Sequence, residues 1–165
     1  NEPIVMGRSF FFIEEGDGGK LDTYWEKSDH TLRPVTTVDT AAPDLRPHKL
    51  EEYYGDKTYT DEEIENITYR NTLAVLHSAW EQAELGTDGQ PVRVVLTAAG
   101  TSVFLGSRQS LPEDQKYKPY YDGMKRALDA YPADGRVSVD LLFLGSSDSA
   151  CATYFEQRRR GDLAV

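Results

Sequence analysis

The chain alternates short β-prone runs with two long stretches of helical periodicity. The best-marked helix opens at Thr60-Asp-Glu-Glu63, where a threonine cap and a glutamate three residues on form a capping box. Acidic residues fill its first turn, as the helix dipole favours. Ile64, Ile67, Asn71, Ala74, Val75 and Ser78 follow at helical spacing, and Leu73, Leu76 and Trp80 widen the stripe. The pattern predicts a helix over Asp61–Leu85, with Gly86 as its C-cap. A second helix is predicted from about Lys116 to Ala130, where Tyr117, Tyr121, Met124, Leu128 and Tyr131 fall on one face.

Strands are predicted between and before these helices. Ser9-Phe-Phe-Phe-Ile13 is short and apolar and ends at Glu14-Glu-Gly-Asp-Gly-Gly19, which reads as a hairpin turn or surface loop. Val35-Thr-Thr-Val-Asp-Thr40 is β-branched and stops at Ala41-Ala-Pro43. Arg93-Val-Val-Leu-Thr97 follows the first helix, and Val137–Leu144 follows the second. Val137, Val139, Leu141 and Phe143 alternate with Ser138 and Asp140, but Leu142 and Leu144 are apolar too, so this last strand is expected to be mostly buried. A short final helix is expected from Ala150. Helix, strand, loop, helix, strand is the order of an α/β fold with a parallel sheet and crossover helices. At 165 residues, a single domain is expected.

In parallel sheets, ligands bind beyond the carboxyl ends of the strands. That draws attention to Leu96-Thr-Ala-Ala-Gly-Thr-Ser-Val-Phe-Leu-Gly-Ser107. A loop of small residues and glycine lets backbone N–H groups approach a phosphate closely. The loop after Leu144 is expected at the same edge, and so is Thr40-Ala-Ala-Pro-Asp44 if its strand runs parallel to the others.

Charge and composition narrow the partners. A formal net charge of -10 repels nucleic-acid backbones, and Arg158-Arg-Arg160 reads as a solvated helix end. No apolar run approaches the ~20 residues of a membrane span, so no membrane partner is expected. The lone Cys151 allows no intrachain disulfide and points to the cytoplasm or another reducing compartment. Asn1 is not an initiator methionine, so a removed targeting segment, and with it secretion into a host, is left open. His30, His48 and His77 are scattered without zinc-type spacing, and neither a metal nor a cofactor is expected. Gly145-Ser-Ser-Asp-Ser149 lacks the second glycine of a hydrolase elbow, and Gly100–Gly106 lacks the Lys-Ser/Thr of a nucleotide P-loop.

Several of these segments, taken in order, resemble the poly(ADP-ribose) glycohydrolase-like macrodomains, especially the microbial type. Val38-Asp-Thr-Ala-Ala-Pro-Asp-Leu-Arg46 is similar to that family's Asp…Ala-Ala-Pro…Arg segment. Arg70, Leu76 and Ala79 match its long helix, and Leu96, Ala98, Gly100, Val103 and Phe104 match its second phosphate loop. Phe10–Asp17 and Val137–Phe143 resemble two more of its segments. The resemblance implies a macrodomain-like mixed sheet flanked by helices. The implied ligand is ADP-ribose or an ADP-ribosylated protein, and the implied activity is hydrolytic release of ADP-ribose. In this reading Gly100, Thr101, Ser102, Val103 and Phe104 hold the diphosphate and distal ribose through backbone amides. Asp39 and the Ala41-Ala42-Pro43 turn sit beside the cleft.

The chain also departs from the family. Thr101 and Ser102 replace Cys-Gly, and Leu105 replaces a glycine. The Gly-Gly-Gly loop and Gln-Glu-Glu signature, which in the family precede the segment resembling Phe10–Ile13, are not among these residues. The expectation is therefore a macrodomain-like domain whose catalytic, N-terminal portion is missing, supplied by another chain, or replaced by other residues. Candidate carboxylates for the glycosidic chemistry are Asp39 and Asp44, with Asp140 and Asp148 behind them. Asp140 lies mid-strand, where burial would raise its pKa. Phe143 and the tyrosines Tyr53, Tyr54, Tyr59, Tyr117, Tyr120 and Tyr121 are candidates for stacking on adenine, with core packing as the alternative. Cys151 reads as a small buried hydrophobe. The second functional reading is a binding or interaction module that keeps the fold without the chemistry.

Overall fold

The computed structural model describes residues 7–14, 32–39, 42–46, 59–85, 91–101, 103–131, 135–143 and 149–161. The backbone separates into two compact units, Asn1–Thr40 and Ala41–Val165. The predicted C-cap at Gly86, the turn after Glu14, and Tyr53, Tyr54 and Asp148 lie outside the described residues.

In the first unit, β1 (Gly7–Glu14) pairs antiparallel with β2 (Leu32–Asp39), Phe11 opposite Val35 and Gly7 opposite Asp39. Both strands are longer than their apolar cores predicted. A parallel β2 would have carried Thr40–Asp44 to the ligand edge, but its partner among the described residues is β1, and the pairing is antiparallel.

The second unit holds α1 (Asp61–Leu85), β3 (Val92–Thr97), α2 (Glu113–Ala130), β4 (Val137–Leu142) and α3 (Ser149–Arg160). A 3-10 segment, Val103–Ser110, follows β3 and is broken at Gly106. The fold is a mixture of helix and strand, and β3 and β4 are parallel, Leu96 opposite Leu141. α2 makes the crossover between them, as the element order predicted. Among the described residues, no helix is long and apolar enough to cross a membrane.

The capping box is formed. The Glu63 amide donates to Thr60 Oγ1 at 3.2 Å, and the Thr60 amide donates to Glu63 Oε2 at 2.9 Å. From there α1 lays Ile64, Ile67, Leu76 and Ala79 into the core. α1 and α2 pack closely where Gly123 faces the α1 backbone. A Cβ on Gly123 would lie 2.4 Å from Glu65 O and 3.0 Å from Tyr69 N, so only glycine permits this approach. On the flank of the crossing, the Arg126 guanidinium lies 3.9 Å from the centre of the Tyr69 ring.

Two expectations are corrected. The buried stripe of α2 runs through Tyr117, Tyr120, Met124 and Ala127, whereas Tyr121, Leu128 and Tyr131 are only half-buried. The periodicity gave the right helix and part of its buried stripe: Tyr117 and Met124 are interior, Tyr121 packs against Tyr154 and Phe155 of α3, and Leu128 lies half-buried against the core. β4 is not mostly buried: Val137 is, but Leu141 is 38% and Leu142 is 45% exposed. A buried apolar strand needs cover on both faces, and here β3 shows the same asymmetry, with Val94 and Leu96 buried and Val95 51% exposed.

Candidate functional site

The parallel register puts the ends of β3 and β4 side by side, Thr97 opposite Leu142. The chain leaving β3 turns at once. The Ala99 amide donates to Thr97 O at 2.8 Å and the Thr101 amide to Ala98 O at 3.3 Å. The Thr101 hydroxyl donates to the same Ala98 carbonyl at 2.6 Å, which buries this threonine inside the turn. Gly100 adopts φ 88, a left-handed conformation that side-chain-bearing residues resist.

The segment 42–46 closes over this turn. Where a Cβ of Gly100 would stand, the Ala42 Cβ is 3.2 Å away on one side and Tyr120 Cε1 is 3.1 Å away on the other. The Leu45 amide donates to Phe104 O at 2.8 Å. Gly106 meets the Leu45 backbone so closely that a Cβ there would lie 1.8 Å from Leu45 O. The Arg46 guanidinium lies 5.0 Å from the centre of the Phe104 ring. Two segments far apart in sequence therefore form one clasp at the end of β3.

Each expected site residue has a distinct fate. Gly100, Thr101, Phe104, Ala42 and Pro43 are brought together in this clasp. The Thr101 amide is already engaged with Ala98 O, and the Phe104 ring is 37% exposed at the rim. Val103 opens the 3-10 segment, and Ser102 lies outside the described residues. Phe143 follows β4 and packs edge-on against Phe155, ring centres 5.6 Å apart, as a half-buried member of the core. Asp39 ends β2 in the first unit. Tyr117 and Tyr120 are buried core residues with no face left for a base.

Two of the candidate carboxylates, Asp44 and Asp140, are paired with arginines. Both Asp44 oxygens accept from Arg46, from Nε at 2.9 and 3.1 Å and from Nη2 at 2.6 Å, and the Arg46 amide adds a further bond at 3.1 Å. This contact holds the Arg46 guanidinium above its ordinary pKa, chiefly through the hydrogen bond. Asp140 is exposed rather than buried and accepts from Arg93 Nε at 2.5 Å. The mid-strand position misled because that face of the sheet carries the polar positions of both strands.

Arg108 is a residue that periodicity could not find. Pro119 lies inside α2 and has no N–H, so the carbonyl of Gln115, one turn earlier, loses its helical donor. Arg108 Nη2 donates to that Gln115 carbonyl, and Nη1 donates to Asp61 at 2.6 Å. One guanidinium thus ties the 3-10 segment to the first turns of both helices. The signal available in the sequence was the proline within a helical pattern.

Comparison with known proteins gave no match: no family model, no curated protein and no solved structure corresponds to this chain.

Proposed function

We propose that the second unit binds ADP-ribose, free or attached to a protein, at the clasp formed by 42–46 and 98–106. The carrying observation is that clasp. The two segments that resemble the macrodomain's Ala-Ala-Pro turn and second phosphate loop are joined at Leu45–Phe104 and pressed together at Gly100 and Gly106. They lie beyond the carboxyl end of a parallel strand, where α/β proteins place polar ligands. The macrodomain-like architecture belongs to this proposal as well, because what supports it is the order of these segments and the parallel β3–β4 pair.

Binding without turnover is the second reading, and the state of Asp44 favours it. Cleavage of a glycosidic bond needs a carboxyl free to donate or accept a proton. Asp44 is instead paired with Arg46 through both of its oxygens.

Calorimetric titration with ADP-ribose tests the proposal. Micromolar affinity is expected for the full chain, weakened about tenfold in Phe104→Ala, which removes one exposed ring from the rim and leaves the buried turn alone. No binding at millimolar ADP-ribose sinks the assignment. Incubation with an ADP-ribosylated protein separates the two readings: released ADP-ribose supports the hydrolase, and retention without release supports the module.

A further inference from the structure

Two buried polar groups, one of them on a ring that touches the clasp, have no hydrogen-bond partner among the described residues. Tyr120 is 1% exposed, and its hydroxyl has no hydrogen-bond partner among the described residues. The same holds for Nε of Arg108, whose Nη1 and Nη2 are engaged by Asp61 and Gln115. Natural interiors rarely keep such groups without a reason, because each unmade bond costs its full desolvation. A phenylalanine would fill the Tyr120 site with the same ring and no orphan oxygen.

The placement suggests the reason. The hydroxyl-bearing end of the Tyr120 ring abuts Gly100, with Cε1 at 3.1 Å and Cζ at 3.8 Å from where a Cβ of Gly100 would stand. A side chain at residue 100 would crowd the phenol, so glycine eases this close approach. Burial pushes the phenol's pKa well above its ordinary value, and the neighbouring Arg108 only partly opposes this. The hydroxyl therefore stays protonated and can donate. Arg108 Nε–H can only donate. Two buried donors, one of them on a guanidinium, suit an acceptor oxygen, and one bearing negative charge suits them best.

We propose that the Tyr120 hydroxyl and Arg108 Nε form an oxyanion seat beneath the Gly100 loop, which takes a phosphate oxygen of the bound ligand. The seat rests on reading the 98–106 loop as ligand-facing, but it requires a phosphate and not ADP-ribose in particular. It adds a side-chain anchor from the crossover helix and the 3-10 segment to a site otherwise built from loop backbone.

Inorganic pyrophosphate is the probe, titrated at low salt against the wild-type chain and Tyr120→Phe. Thermal unfolding without ligand is followed in parallel. The expected result is pyrophosphate binding by the wild type, weakened about tenfold in the variant, as for the loss of one hydrogen bond to a charged acceptor. The variant's Tm should be unchanged or higher, because removing an orphaned hydroxyl relieves a burial cost. No pyrophosphate binding by the wild type overturns the seat, and so does equal binding by the variant. A lower Tm with equal binding also overturns it, by showing that the hydroxyl serves the fold and not a ligand. ADP-ribose in the same titrations separates the two proposals. If pyrophosphate binds through Tyr120 and ADP-ribose does not bind, the seat stands and the ADP-ribose reading falls. If ADP-ribose binds equally to both proteins, that reading stands and the seat falls.

Discussion

Gly106 sits at φ 54 and ψ -128, which breaks the 3-10 segment in two. The backbone of Leu45 occupies the space that a Cβ would need. Two separate costs therefore attend any substitution, one conformational and one steric, and neither can be relieved by rotating a side chain. Gly106→Ala is expected to lower unfolding stability by at least ~2 kcal/mol in urea titration. Gly135, also at positive φ, has nothing near the place of its Cβ, so Gly135→Ala incurs the conformational cost alone and should lose less. Equal losses at the two positions would show that the clasp does not press on Gly106. At this scale the sequence was informative in part. Gly100 and Gly106 stood out as loop glycines, but what each is pressed against (a phenol ring, a carbonyl) depends on residues distant in the chain.

Between elements, Arg108 is the connection whose loss should propagate. Arg108→Gln withdraws the donor from the Gln115 carbonyl and the partner from Asp61. Asp61 is mostly exposed, so the ion pair itself contributes little and the carbonyl dominates the cost, about 1 kcal/mol. Pro119→Ala would return an N–H to α2 and satisfy Gln115 from within the helix. A double-mutant cycle should then show a smaller cost for Arg108→Gln in the Pro119→Ala background, with a coupling of at least ~0.5 kcal/mol. Simple additivity would mean that Arg108 does not stand in for the missing amide. The elements themselves were readable from local rules. The capping box fixed the start of α1, and the spacing of apolar residues found α2. The face that α2 buries was readable in part: Tyr117 and Met124 are buried as the spacing implied, whereas Tyr120 and Ala127, also buried, lie outside the expected stripe.

At the scale of the whole molecule, the strand order of the second unit followed from alternation of strand and helix, and the pair β3–β4 is parallel as that order implies. The burial of the sheet did not follow. Leu141 and Leu142 look like interior residues in the sequence, yet an apolar side chain is buried only where something covers it. The candidate site was legible as two separate stretches, and the fold supplies their junction. What stayed hidden are the groups with no periodic signature: Asp44 neutralised by its neighbour Arg46, and Arg108 drawn in by a proline.

The bond from the Leu45 amide to the Phe104 carbonyl gives that junction a built-in clock. It belongs to no helical or strand ladder, so the Leu45 amide proton is shielded only while the clasp is shut. Hydrogen–deuterium exchange at Leu45 should therefore measure how often the clasp opens, separately from unfolding of the core. Slower exchange is expected when ADP-ribose or pyrophosphate is bound, with amides in the middle of α1 slowed much less. If Leu45 instead exchanges only at the rate of global unfolding, the segment 42–46 is as permanent a part of the core as the helices, and a ligand must find its place in a clasp that never opens on its own.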